Sequence, residues 1–296
     1  MACRNWCFPA TILLLAAMAP ALASCDAGTP PAQPSSGSAG PITVEINQSR
    51  DQYGKQAIQI LFTNTTDNPL TVYGARLHSS LFDGDIFWHG SGSGLELPPR
   101  QPKSVPTALP DAVCGASQST SPQPPGATLE YGEFGKETKE ETTSASDPFG
   151  VLTRNAAELC TATEAAAVAT MALAPGLEVA ADGRTAVVRL VITPTATGGG
   201  TAALTIESVD ETTLLAQSPD SPWPRNITVG TDKQELPLTI RPARCDPHAV
   251  AEDKVGTLLP LRIRLGERQG LIKVPASNEL RGRIYDFVTA ACAPGG

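Results

Sequence analysis

Three histidines, His78, His89 and His248, bound the acid–base and metal chemistry open to this chain of 296 residues. A Ser-His-Asp hydrolase needs a serine on a sharp turn, a histidine within hydrogen-bond reach and backbone N–H groups aimed at an oxyanion. His89 to Gly94 (HGSGSG) has the residue types, but its serines are out of register with a G-x-S-x-G elbow and no strand-turn-helix pattern surrounds it. It reads as a loop tip. His78, Asp83, Asp85 and His89 form the one grouping whose types could ligate a divalent cation. Asp83 and Asp85 supply only two of the carboxylates that a calcium loop requires, and Asp-Gly pairs favour turns for backbone reasons alone. A blue-copper centre needs His, Cys and Met together, and Met171 is the one methionine beyond residue 25, with no such partners near it in sequence. Gly198 to Gly200 precedes no helix and reads as a turn rather than a phosphate cradle. These residues specify no catalytic group, no metal and no cofactor.

One cationic grouping stands out. In Leu261 to Leu265 (LRIRL), strand alternation puts Leu and Ile on one face and Arg262 and Arg264 together on the other. Arg268, Lys273, Arg281 and Arg283 follow. Such a face is a candidate contact for anionic material, either lipid headgroups or a phosphate-bearing wall polymer, at about 1 kcal/mol per charge near a membrane; the plain alternative is a solvated strand face. The chain as a whole carries a formal charge of −8, which argues against generic nucleic-acid binding. The asymmetry is marked: from Arg225 onward there are 11 Lys/Arg against 8 Asp/Glu, whereas residues 26–224 hold 10 against 22. Trp88 and Trp223 could each anchor a partner, although covering a sandwich core is the commoner task, and the acidic run Glu130 to Glu141 reads as a solvated loop.

The cysteines set the compartment. Arg4, an apolar stretch from Thr11 to Ala19 and the small residues after it have the layout of a secretory signal peptide. The stretch is interrupted at Pro9 and Pro20 and is shorter than the roughly 20 residues a spanning helix needs. Leu22-Ala23-Ser24-Cys25 follows directly and resembles the lipobox of bacterial membrane lipoproteins. The resemblance implies cleavage before Cys25, which becomes the N-terminus and carries acyl chains that hold the protein to membrane lipid on the extracytoplasmic face. It covers the export segment and implies nothing about the remainder. Cys3 and Cys7 would leave with residues 1–24, and Cys114, Cys160, Cys245 and Cys292 remain as an even set in an oxidising compartment. No pair of them is spaced as a zinc knuckle, and four cysteines allow three disulfide connectivities.

Behind these residues lies a simple organisation. Residues 25–41 comprise the anchor and a Pro/Ser/Gly/Ala tether with an end-to-end distance of roughly 20–25 Å as a flexible coil. Beyond it come short alternating runs broken by turn residues: Ile42 to Ile46, Ala57 to Thr63, Leu70 to Leu77, Ala186 to Ile192 and Thr201 to Val209. Ser104 to Cys114 can be laid on Glu235 to Cys245 without a gap, so that Pro106 meets Pro237, Ala112 meets Ala243 and Cys114 meets Cys245. Each unit then runs through a strand-like stretch (Ala127 to Tyr131; Leu258 to Ile263) to a helix-compatible segment ending in its second cysteine (Phe149 to Cys160; Leu280 to Cys292). Asp147 before Pro148 has the pattern of an N-cap with proline at the first helical position. The spacing predicts an all-β chain of two tandem immunoglobulin-like β-sandwich domains, each with a short helix and one disulfide, Cys114–Cys160 and Cys245–Cys292. Closing each loop should stabilise its unit by about 3–4 kcal/mol. The expected boundaries are 42–160 and 177–292, with an inter-domain linker at 161–176 and a tail at 293–296.

The expectation for function follows from this layout: a lipid-anchored envelope protein whose sandwiches form a non-catalytic binding or interaction module, with an envelope protein or an anionic wall polymer as partner. The alternative is an enzyme or enzyme subunit, hydrolytic in character, with a dispersed site.

Overall fold

A computed structural model describes residues 40–115, 123–133, 136–195 and 203–293. The export segment, Cys25, most of the tether and the Gly198–Gly200 turn lie outside the described residues. Everything described belongs to one compact unit, Ala39–Gly296.

The first sandwich runs β1 (Ile42–Asn47), β2 (Ala57–Asn64), β3 (Leu70–His78), β4 (Ile86–His89), β5 (Leu95–Leu97), β6 (Pro102–Ala108), β7 (Gly126–Gly132) and β8 (Lys139–Ser146), and then α1 (Val151–Val168). Period-two alternation does the work. Ile42, Val44 and Ile46 on β1 and Ile58, Ile60 and Phe62 on β2 point to one face, where they meet Val72, Leu77, Leu129 and Tyr131 from the opposite layer. The strand order is β4-β3-β7-β8-β1-β2-β6, with β5 also paired to β3; a parallel β1–β8 pair (Val44 with Ala145) joins the two layers into one sheet. Its ends approach each other, and the Thr107 hydroxyl on β6 donates to the Phe87 carbonyl on β4.

The second sandwich repeats this plan with β9 (Ala169–Leu173), β10 (Glu178–Val179), β11 (Ala186–Pro194), β12 (Leu204–Val209), β13 (Leu215–Gln217), β14 (Ile227–Thr228), β15 (Gln234–Pro242), α2 (Pro247–Ala251), β16 (Leu258–Leu265), β17 (Arg268–Pro275) and α3 (Asn278–Ala291). The β1-β2-β6 order recurs as β9-β11-β15, and β3-β7-β8 recurs as β12-β16-β17. The prolines aligned by sequence occupy matching ladder positions: Pro106 opposes Gln59, and Pro237 opposes Arg189. Both are tolerated because the far side of the strand is open there; β6 is an edge, and β13 pairs β15 only from Ile240 to Pro242. β9 and β17 form no ladder, so the second half keeps separate sheets of five and four strands. Both disulfides have the predicted partners, with Cα–Cα separations of 5.4 Å and 5.2 Å, and each ties the helix after the last strand to the loop before the penultimate one.

Two local expectations are revised. Most of the segment 161–176, which reads as a linker, is the second half of α1 followed by β9 with no gap between them, and residues 174–176 alone lie outside both. The helix continues because its C-terminal turns also find a core: Val151, Leu152 and Ala156 pack into the first sandwich, and Ala165 and Val168 into the second. The helix also starts later than Asp147-Pro148 suggests. A turn closes from the Gly150 N–H to the Asp147 carbonyl, Gly150 takes a left-handed conformation, and the Asp147 carboxylate accepts from the Val151 and Leu152 N–H groups at 2.7 Å and 2.9 Å. Asp147 caps the helix from outside its first turn.

Candidate functional site

Among the described residues, a concavity of about 1010 Å³ opens between the helical end of the second sandwich and the turn after β1 in the first. Three elements shape it. α3 buries Leu280, Ile284, Phe287 and Val288 in the core, which turns Arg281, Tyr285 and Thr289 toward the cleft. It begins at Ser277, whose hydroxyl accepts from the Leu280 N–H. α2 begins at Asp246, whose carboxylate accepts from the His248 N–H, with Pro247 at its first position, and places Val250 and Ala251 on the wall. The Cys245–Cys292 disulfide fastens these helices at one end of the cleft. The third element is the 3-10 turn Arg50–Gln52 and the residues after it, which bring Asp51 and Lys55 to the opposite rim.

This turn is seated rather than loose. Gly54 has φ +72°, and a Cβ there would come within 3.1 Å of the Leu258 side chain, so a residue with a side chain would be strained twice, by backbone and by contact. Beside it, the Lys273 ammonium lies 5.2 Å from the centre of the Tyr53 ring and 2.6 Å from the Glu158 carboxylate of α1.

Asp253 ties the cleft together. Its carboxylate accepts from the Thr213 hydroxyl at 2.8 Å, the Gly256 N–H at 2.8 Å and the Tyr285 hydroxyl at 2.9 Å. Partial burial, reinforced by the Asp253 carboxylate, pushes the Tyr285 phenol up to about 12. It therefore keeps its proton at neutral pH and donates it to Asp253. Across the cleft, the hydrogen bond from Ser49, helped by the Lys55 and Lys254 charges, holds Asp51 below the usual carboxylate range. The result is a concave, largely apolar surface with charged groups on its rim, a form suited to holding a small molecule.

The residues singled out from sequence lie elsewhere. The alternation on β16 is as expected, with Arg262 and Arg264 outward, but each meets a carboxylate across β12: Asp210 at 2.8 Å and Glu207 at 3.0 Å. Arg268 pairs with Glu164 of α1, and Arg283 with Glu279 one helical turn away. Arg281 alone of the five reaches the cleft. The basic run is thus mostly neutralised within its own fold. Of the His78, Asp83, Asp85 and His89 grouping, the fold brings together only His78 and Asp85, at 2.8 Å, and the other His78 ring nitrogen faces the Thr128 hydroxyl at 2.9 Å. His89 instead stacks on Phe87, and among the described residues no three His, Cys, Asp or Glu side chains converge as a metal site would require. Both tryptophans serve cores: Trp223 is buried with its indole N–H donating to the Thr239 carbonyl, and Trp88 packs against Phe62. Of the run Glu130 to Glu141, residues 130–132 end β7 and 139–141 begin β8, with the described residues between them outside any strand.

Asp51, Lys55, Asp253, Lys254 and Tyr285 carried no sequence signal. About two hundred positions separate the two rims, and no local spacing can announce such a meeting.

No protein-family model and no curated protein matches the sequence. Among solved structures, the chain is similar to red sea bream transglutaminase at 9% identity and a TM-score of 0.23, over 80% of this chain and 31% of that one. It is also similar to the CsuC-CsuE chaperone–tip adhesion subunit pre-assembly complex of the archaic chaperone-usher Csu pili of Acinetobacter baumannii, at 10% identity and a TM-score of 0.18, over 79% of this chain and 95% of that one. Likenesses this distant carry no argument here; the sandwich architecture rests on the strand order itself.

Proposed function

We propose that the chain is an extracytoplasmic binding module of the cell envelope, held to membrane lipid through Cys25, that takes a small molecule in the cleft between its two sandwiches without transforming it. The observation that carries this reading is the shared cleft: its walls come from both sandwiches, and the disulfide, the seated turn and α1 fix their spacing. A preformed cavity of this size is the usual form of a ligand site. Two disulfides fit an oxidising compartment, and no described helix is long and apolar enough to cross a membrane. The Leu22 to Cys25 lipobox supports the anchor, and mass spectrometry of the native N-terminus would test it: an unacylated start removes the tether from the proposal.

The cleft is tested by screening envelope extracts and small-molecule pools for thermal stabilisation of the whole protein. The same screen is repeated on Thr289→Trp, which puts an indole on an exposed helix position at the cleft wall. Ligands that stabilise the native protein and fail on the variant support the assignment. Equal stabilisation of both places the site elsewhere.

A second reading, a hydrolytic subunit, draws on the Asp85–His78–Thr128 chain of hydrogen bonds, which has the order of orienting acid, base and hydroxyl. Thr128 is buried and also bonded to Thr142 at 3.1 Å, so the chain also serves to fasten β7 to β8. Turnover in esterase, glycosidase or peptidase screens that disappears with His78→Asn would favour the enzyme.

A further inference from the structure

The rim of the cleft gathers three cations against two carboxylates. Several cations of the second sandwich are matched: Arg262, Arg264, Arg268, Lys273 and Arg283 each face a carboxylate within 4 Å. Lys55, Lys254 and Arg281, which converge on the cleft from three separate elements, have no side-chain hydrogen bond or ion pair of that kind among the described residues. The two carboxylates beside them, Asp51 and Asp253, leave an excess of one positive charge. Asp253 keeps its charge but has its oxygens engaged by Thr213, Gly256 and Tyr285, and Asp51 faces the Lys55 and Lys254 charges. Between the cations the surface is apolar, formed by Pro247, Val250, the ring of Tyr285 and the disulfide. Val288, fully buried in the core, lies directly beneath this surface.

We infer that the ligand of this cleft is a small amphipathic anion, with an aliphatic or aromatic body against the Val250–Tyr285 floor and a carboxylate held at the Lys55–Lys254–Arg281 rim. The inference rests on the cleft being the binding site proposed above. An apolar body is rewarded by removal from water, and an anion among unmatched cations gains charge-assisted hydrogen bonds without first displacing an internal carboxylate. A cationic ligand of the same shape meets a rim with like charge in excess and is disfavoured by the same geometry.

The test titrates the whole protein by calorimetry with three probes of one chain length: decanoate, decanamide and decylamine. Decanoate is expected to bind most tightly, decanamide about tenfold more weakly, and decylamine more weakly still. Arg281→Gln and Lys254→Gln, both at exposed positions, should each reduce decanoate affinity about five- to tenfold while leaving decanamide unchanged and the melting temperature within about a degree. If the three probes bind equally and Thr289→Trp abolishes all of them, the anion inference is overturned and the cleft stands. If decanoate binds and Thr289→Trp leaves it unaffected, or if none of the probes binds, the inference fails together with the site it assumes.

Discussion

Asp253 concentrates more structure than any other polar residue of the cleft. It accepts from Thr213, Gly256 and Tyr285 at once, and so links the loop before β13, its own turn and α3. Asp253→Ala would leave two hydroxyls and a backbone N–H without an acceptor. A loss of about 1–3 kcal/mol is expected, read as a lower urea midpoint with an unchanged slope. Tyr285 gives a second readout. Its folded-state value of about 12 stands above the ordinary 10, so its contribution is fully present below pH 10 and is lost as pH rises toward 12. Tyr131, raised to about 12 chiefly by burial and next by its bond to Glu141, behaves in the same sense. Tyr285→Phe should therefore flatten the fall in melting temperature between pH 10 and 12; an unchanged slope would show that the phenol is not held as described.

Among the elements, α1 is decisive. β17 passes so close beneath it that a Cβ at Gly270 would come within 2.4 Å of the Thr161 side chain. Gly270→Ala is expected to cost about 1–3 kcal/mol through overpacking, and adding Thr161→Ala should recover part of that loss; additive effects in a double-mutant cycle would contradict the contact. The strands were legible in sequence because period-two alternation is a local consequence of one face being wet. Ile42 to Ile46, Ala57 to Thr63 and Ala186 to Ile192 all have that pattern and all are strands. α1 was half legible. Phe149 to Cys160 shows helical spacing, but the Ala-rich continuation has no amphipathic pattern of its own, and only contact with the second core makes Ala165 and Val168 helical rather than a hinge.

For the whole molecule, a helix shared by two cores predicts that the sandwiches unfold together. Ala157 sits on the exposed side of α1, and Ala157→Pro should cost about 3 kcal/mol or more by breaking the ladder. Calorimetry should show a single transition for the native protein and a lower one for the variant, with the second sandwich affected although the substitution lies among first-sandwich residues. Two transitions in the native protein would mean that α1 does not couple the cores. Removing either disulfide, by Cys114→Ser with Cys160→Ser or by Cys245→Ser with Cys292→Ser, should cost about 3–4 kcal/mol in the chain-entropy account. Only the second removal should also weaken binding in the cleft, because only that bridge lines it.

The amino-acid sequence by itself determined the strand alternation, the duplicated register of Pro106 and Pro237, and through that register the pairing of four cysteines. Each of these is a matter of periodicity or fixed spacing along the chain. The tertiary structure alone decided that Arg262, Arg264, Arg268 and Arg283 would be neutralised, that most of residues 161–176 would be helix and strand, and that Asp51 and Lys55 would face Lys254 and Arg281 across a cleft. The reason is physical. Alternation reports which side of a strand meets water, whereas the charge a side chain finally faces depends on neighbours that folding brings from distant positions.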